Sequence, residues 1–204
     1  MIIDAVTVCI DYSDYLEQIL YNRRFFKRWL IVTHRSDNKT INICKKNNLD
    51  FILSKNIYKN NSPFAKNNAI NDGLIALKPN NWILHLDSDI LLPENFNEII
   101  NDKIITDKNT IYGINRCNIN KNIISTNYQI PIGFFQLWHS NKCKDYYTDN
   151  NINNAEGDMR HAKRFNKMKI LDLNCIDIQQ EYHKCNWWGR GAIGKTRYKL
   201  YNKH

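Results

Sequence analysis

The chain has 204 residues, 43% of them hydrophobic and 12% aromatic, with a formal net charge of +9. This size and composition suit one domain with one sizeable core, and a second independent domain is not expected. The charge would favour nucleic acid, an acidic surface or a nucleotide diphosphate, but only Arg23-Arg24 through Lys27-Arg28 form a cluster. No recognition-helix or RNA-binding signature accompanies them, so nucleic acid is not an expected partner.

Six cysteines, at 9, 44, 117, 143, 175 and 185, are scattered without a CxxC pair or a short zinc spacing. They read as free, mostly buried thiols of a reducing compartment. No stretch approaches the roughly 18 apolar residues of a membrane span, and the amino terminus has no basic region leading into a long apolar run. A cytoplasmic protein without membrane insertion is therefore expected.

The run Ala5-Val6-Thr7-Val8-Cys9-Ile10 predicts a strand, and Asp11-Tyr12-Ser13-Asp14 offers side chains that can cap a helix. That helix would bury Tyr15, Leu16, Ile19 and Leu20. A second strand is predicted over residues 29–33, a helix over 39–47 and a third short strand over 49–53. Ser62 as N-cap and Pro63 at the first helical position predict another helix, running through Ala65, Ala69, Ile70, Leu74 and Leu77.

It leads into Trp82-Ile83-Leu84-His85-Leu86-Asp87-Ser88-Asp89-Ile90-Leu91-Leu92, an apolar run that ends abruptly in two carboxylates. Flanked by Pro79-Asn80-Asn81 and Pro93-Glu94-Asn95, it fits a strand of a parallel sheet covered on both faces. Ligands of open α/β sheets bind beyond such strand ends. Two carboxylates there repel each other and lose solvation, which a metal ion carrying a phosphate would offset. Asp is equally at home in a turn that merely ends a strand.

Beyond this point a short helix is predicted over 96–100, strands over 110–114 and 130–138, a helix over about 157–165, and strands near 170–171 and 176–178. Strands alternating with helices in the first half imply βαβ units and a mostly parallel sheet, and the second half is mixed. Ile10-Asp11-Tyr12-Ser13 provides no glycine-rich loop for a pyrophosphate, so carboxylates and a metal must hold phosphate instead. Gly189-Arg190-Gly191-Ala192-Ile193-Gly194-Lys195-Thr196 matches the phosphate-loop pattern, which would make the chain an NTPase. Only eight residues follow it, too few for the required helix within a βαβ unit.

In chain order stand Val6-Thr7-Val8-Cys9, Thr33-x-x-x-Asp37, Phe64-x-Lys66-Asn67, His85-Leu86-Asp87-Ser88-Asp89 and Gly133-Phe134-Phe135-Gln136-Leu137-Trp138. Glu156-Gly157-Asp158 and Tyr182-His183 with Asn186-Trp187-Trp188-Gly189-Arg190 follow. The succession covers nearly the whole chain and resembles the GT-A glycosyltransferases of the family-2-like type. The size and Asn/Lys-rich style look like a compact glycosyltransferase domain of a chlorovirus, whose relatives build a capsid glycan.

The resemblance implies an α/β fold of the GT-A (Rossmann-like) kind as a single domain, with a mostly parallel central sheet flanked by helices. Residues 1–100 would bind nucleotide and residues 101–204, the mixed half, the acceptor. It also implies a metal-dependent, inverting glycosyltransferase that moves a sugar, with rhamnose or glucose as candidates, from a UDP-sugar donor to a glycan hydroxyl, the acceptor being a capsid glycan. A catalytically silent nucleotide- or glycan-binding module is compatible with the same binding motifs.

Carried over by position, Thr7, Cys9 and Tyr12 would line base and ribose, and Asp37 and Lys66 would meet the uracil edge. Many relatives have Arg where Lys66 stands, so its contact would be a point charge rather than a fork. Ser88 joins the same nucleotide-sugar set. Asp87 would hold ribose or a metal-bound water, Asp89 would bind Mn²⁺ or Mg²⁺, and His183 would complete the metal site. Inverting transfer needs a carboxylate near the acceptor hydroxyl, away from the metal, and Asp158 is the candidate general base with Glu156 in reserve. Asp158 also suits the N-cap of its helix. Gln136 is assigned to the acceptor or sugar side. Trp138, Trp187 and Trp188 would stack on sugar faces or fill the core, and Arg190 would pair with the diphosphate or lie on the surface.

Overall fold

The computed structural model describes residues 1–62, 64–104, 107–125, 130–148 and 157–178. Its first half is built from β1 (Ile3–Val8), α1 (Ser13–Gln18), β2 (Arg28–Thr33), α2 (Asn38–Lys46), β3 (Asp50–Leu53), α3 (Lys66–Leu77) and β4 (Trp82–Leu86). The second half adds β5 (Ile90–Leu91), α4 (Phe96–Ile104), β6 (Thr110–Cys117), β7 (Ile123–Ser125), β8 (Phe135–His139), α5 (Gly157–Ala162) and β9 (Lys167–Asp177).

All of these strands join one sheet in the order β3-β2-β1-β4-β8-β6-β9-β5, with β7 attached to β6. From β3 to β4 every pairing is parallel; β8 then runs antiparallel to both β4 and β6, while β6 and β9 are parallel. The parallel first half and mixed second half match the predicted architecture. The change of direction falls at β4, where the Asp-bearing strand ends.

At β1, β2 and β4 both faces of the sheet are buried, which explains why these strands read as continuous apolar runs. On one face Ile3, Ala5, Trp29, Ile31, Trp82, Leu84 and Leu86 meet Leu16, Cys44 and Phe96 of the helices. On the other, Val6, Val8, Leu30, Val32 and Ile83 meet Ala69, Ile70 and Leu74 of α3 and Ala162 of α5. Full burial of each such Val, Leu or Ile side chain stabilises the fold by about 1.5–3 kcal/mol. The five described cysteines are free and buried, as expected.

Several boundaries differ from those predicted. α1 stops at Gln18 and a 3₁₀ turn over Leu20–Phe25 takes its place, so only Leu16 and Ile19 of the predicted apolar face are fully buried. α3 starts at Lys66 rather than at residue 63, because a 3₁₀ turn occupies Asn56–Asn61 and the Ser62 hydroxyl accepts from the Phe64 N–H in a turn of its own. The strand predicted from residue 130 begins only at Phe135, since Pro131 O and both backbone groups of Gly133 bond to side chains instead of a ladder. The two short strands predicted near 170 and 176 are the single strand β9, in which Leu171, Leu173 and Cys175 are buried while Asp172 and Asn174 are exposed. α5 is shorter than predicted and α4 longer.

His161 of α5 is fully buried between Tyr146, stacked at 4.1 Å, and the edges of Trp138 and Phe165. Burial holds it neutral, pushing its pKa down to about 3. The unfolded chain therefore binds a proton below about pH 6.5 that the folded chain refuses, and stability falls with acidification by up to about 1.4 kcal/mol per pH unit. His161→Phe, which keeps an aromatic ring in the stack, should flatten the loss between pH 7 and pH 5 in urea unfolding. Parallel curves for the two proteins would refute this assignment.

Candidate active site

The loop after β4 carries Asp87, Ser88 and Asp89 and is held from three sides. The Asp87 N–H donates to Phe134 O at 3.0 Å, the Ile178 N–H donates to Asp89 O at 2.9 Å, and the buried Asn22 amide bonds Ile90 O and the Leu92 N–H. The backbone of the two carboxylates is thus fixed between β8, β9 and the turn after α1.

Lys66, at the first helical position of α3, reaches into this loop. Its ammonium donates to Asp87 Oδ1 at 2.5 Å and to Gly133 O at 3.2 Å. The same Gly133 turns its N–H the other way, donating to Asp158 Oδ2 at 2.6 Å. One lysine and one glycine therefore connect the Asp87 carboxylate to Asp158. This placement depends on the late start of α3, which brings Lys66 rather than Ala65 to the helix entrance.

Burial, then the neighbouring carboxylates Asp87 and Asp177, push the Asp89 carboxyl up to about 8. Asp177, buried at the end of β9 and paired with Arg116 at 3.4 Å, is a third acid that the sequence reading passed over as part of an apolar strand. An acid between Ile176 and Ile178 is the signal that could have found it. His85, fully buried on β4, lies 3.5 Å from Asp87 Oδ1 through Nε2, and neither ring nitrogen has a hydrogen-bond partner among the described residues.

Asp158 is half-buried at the second residue of α5. Burial raises its carboxyl above the usual range, opposed by Lys66 and by the Gly133 and Met159 N–H groups. The approach is close on both sides. A Cβ at Gly133 would sit 2.6 Å from Asp158 Oδ2, and one at Gly157 would sit 1.7 Å from Asn67 Nδ2. A side chain at either position would therefore force Asp158 or Asn67 to shift. Asp158 lies inside the helix and its carboxyl faces the Gly133 loop.

Other predicted site residues are placed differently. Thr7 is fully buried and its hydroxyl accepts from the Trp29 indole at 2.9 Å, so it lies under the sheet end rather than against a ligand. Cys9 is fully buried too, 3.5 Å from the Thr40 hydroxyl, with its thiol pushed up to about 12 by burial. Ser88 is buried above it. Tyr12 is buried beside Tyr15. Asp37 caps α2: its carboxylate accepts from Thr40 N, Thr40 Oγ1, Asp11 N and the Thr33 hydroxyl. Three of these donors meet Oδ2 and one meets Oδ1, so Oδ1 keeps an acceptor site for a further donor.

Lys66 meets the Asp87 carboxylate and the Gly133 carbonyl in this structure. Trp138 is a core residue: fully buried, its indole N–H donates to Cys143 O at 3.0 Å, and it offers no face to a sugar. Gln136 is likewise fully buried and bonded to protein on all its polar atoms, which removes it from direct acceptor contact. Glu156, His183, Trp187, Trp188, Arg190 and the phosphate-loop match at 189–196 lie outside the described residues.

Among the described residues no three His, Cys, Asp or Glu side chains converge tightly enough to enclose a metal ion. Asp87 and Asp89 nevertheless fit a hard divalent cation. They supply carboxylate oxygen, and the strained ionisation of Asp89 is what a nearby cation relieves. No described helix is long and apolar enough to cross a membrane.

No protein-family model and no curated protein matches the sequence. Solved structures do match the fold. TarS 1-349 from S. aureus has a TM-score of 0.66 at 13% identity, over 87% of this chain and 60% of that one. The mannosyltransferase PcManGT from Pyrobaculum calidifontis, in complex with GDP-Man and Mn²⁺, has a TM-score of 0.61 at 12% identity, over 91% and 58%. Glucosyl-3-phosphoglycerate synthase from Mycobacterium tuberculosis, in complex with Mn²⁺, UDP and glucosyl-3-phosphoglycerate, has a TM-score of 0.62 at 9% identity, over 99% and 79%. The chain has the GT-A fold. It spans about three fifths of the TarS fragment and of the mannosyltransferase. Within the GT-A fold, Asp87 and Asp89 stand in the loop after β4 and Asp158 at the start of α5.

Proposed function

We propose that this GT-A chain is a metal-dependent, inverting glycosyltransferase that moves a sugar from a UDP-sugar donor to a glycan hydroxyl. The observation that carries the reading is the pairing of two acidic centres of different character. Asp87 and Asp89 stand at the end of β4, and Asp158 is held by Gly133 on the far side of Lys66. Inverting transfer requires this division, with cation-binding acids for the diphosphate and a separate carboxylate for the acceptor proton. Residues 1–100 form the nucleotide half and residues 101–204 the acceptor half of one domain.

In this reading Asp89 and Asp87 would hold Mn²⁺ or Mg²⁺, with His183 as a further ligand, and the bound cation would supply Lewis-acid stabilisation of the leaving diphosphate. Asp158 takes the proton of the acceptor hydroxyl, its basicity increased by burial. Lys66 offsets the charge between the two centres. Tyr12, Asp37, Ser88 and Arg190 belong to the nucleotide side and Trp188 to the acceptor side. Rhamnose or glucose as the sugar and a capsid glycan as the acceptor are the finer parts of this proposal, carried by the sequence resemblance. The neighbours crystallised with nucleotide sugars and Mn²⁺ support the donor class.

Thermal unfolding with UDP, GDP, ADP and ATP, each with and without Mn²⁺, tests the proposal. Nucleotide at about 100 times its dissociation constant should stabilise the fold by about 2.7 kcal/mol, and only UDP with Mn²⁺ should do so. Stabilisation by ATP alone would overturn the donor assignment.

A further inference from the structure

At the second residue of β8, Gln136 is a fully buried polar side chain with all of its hydrogen-bonding groups engaged. Nε2 donates to Pro131 O at 2.7 Å and to Asp158 O at 2.9 Å, and Oε1 accepts from the Tyr146 hydroxyl. Two of these partners are carbonyls, which can only accept, so the NH₂ group must face them and the oxygen must face the hydroxyl. Chemistry leaves this amide one orientation. Through it three segments distant in sequence are joined: the 131–134 loop, the segment bearing Tyr146, and the first turn of α5.

Two of those segments are the ones that hold the Asp158 carboxyl. Gly133 of the loop donates to Oδ2 at 2.6 Å, and Met159 of α5 donates to Oδ1 at 3.1 Å. Tyr146 is itself immobilised, stacked on His161 at 4.1 Å and bonded through its backbone N–H to Asn71 Oδ1 at 2.8 Å. A buried amide that loses its partners costs more than the bonds it made, so the arrangement is held as a unit.

We infer that Gln136, oriented by the Tyr146 hydroxyl, is the positioning residue for Asp158, setting the Gly133 loop and the start of α5 at the spacing that aims the carboxylate. The inference rests on the proposed role of Asp158 as general base. Gln136 touches neither substrate nor metal in this scheme and acts only through Asp158. Misplacement of a reacting group by about 1 Å costs about 100-fold in turnover, which is the size of effect expected when the amide is removed.

The test compares wild type, Gln136→Met and Tyr146→Phe by ¹³C NMR titration of the Asp158 carboxyl. The charged and titratable groups facing it are Lys66 from α3 and Tyr146. Loss of the aligned Gly133 donor should leave burial less opposed and move the titration of Asp158 further upward. The shift should be larger in Gln136→Met than in Tyr146→Phe, which deletes one hydroxyl and also serves if the first variant fails to fold. UDP release from UDP-glucose with Mn²⁺, water taking the glucosyl group, should fall about 100-fold in Gln136→Met, with UDP affinity changed less than threefold. An Asp158 titration identical in all three proteins would overturn the inference. A shifted titration together with full turnover by Asp158→Asn would instead sink the general-base reading and leave the positioning intact.

Discussion

Asp158→Asn should bind UDP with Mn²⁺ as wild type does and lose sugar transfer by about 10²–10⁴-fold, the range that general-base groups contribute. The substitution keeps the shape, and its carbonyl oxygen can still accept from the Gly133 N–H that now lies 2.6 Å from Oδ2. The new amide group then faces the Met159 N–H at 3.1 Å, which costs about 1 kcal/mol. Removal of a carboxyl whose ionisation burial opposes works in the other direction. A carboxyl raised in the folded state makes stability fall as pH rises through the window between its unfolded and folded values, and asparagine has no such loss. The unfolding midpoint at neutral pH should therefore move by no more than a few degrees. Transfer within tenfold of wild type would remove Asp158 from the chemistry.

Asp89→Asn should abolish the Mn²⁺-dependent stabilisation by UDP, about 2.7 kcal/mol at saturating nucleotide, without weakening the ligand-free fold. The reason lies in what surrounds the carboxyl. Burial, Asp87 and Asp177 all oppose its charge, and Lys66 is the cation that favours it. Deleting that charge relieves repulsion, and the backbone oxygen of residue 89 still receives the Ile178 N–H. Thermal unfolding of the variant, alone and with UDP plus Mn²⁺, measures both halves of the statement. An undiminished UDP shift would take Asp89 out of the metal site, and collapse of the free protein would make it a structural acid.

Much of the first half was legible in the sequence because each strand there is buried on both faces. Ala5 to Val8, Leu30 to Val32 and Ile83 to Leu86 can only be read as covered strands, and the acids at the end of the last one stand out against them. Asp87, Asp89 and Asp158 could be picked out as acids next to recognisable strand and helix ends. What escaped depends on contacts between distant segments. Gln136 was assigned to the acceptor or sugar side and Trp138 to a sugar face or the core, and their partners at Asp158, Tyr146 and Cys143, which bury them, come from later segments. The start of α3 was misplaced because Ser62-Pro63 has the chemistry of a helix entrance, but the Ser62 hydroxyl closes a turn and the Ala65 N–H is taken by Ile57 O. Asp177 was hidden by its apolar neighbours.

The position of β4 also has a consequence for how the chain is made. One neighbour, β1, is synthesised long before it, and the other, β8, well after it: Trp82 pairs with Ile3 on one side and with His139 on the other. A nascent chain that has emerged only through α4 can assemble β3-β2-β1-β4, yet the outer edge of β4, buried along its whole length in the finished fold, stays unpaired. At ordinary rates of translation that edge is open for a time on the order of seconds. An open apolar edge is a template for pairing with another chain, and acids placed against such a strand discourage it by repulsion between copies. Asp87 and Asp89 sit at the end of that edge, the placement by which acids discourage such pairing.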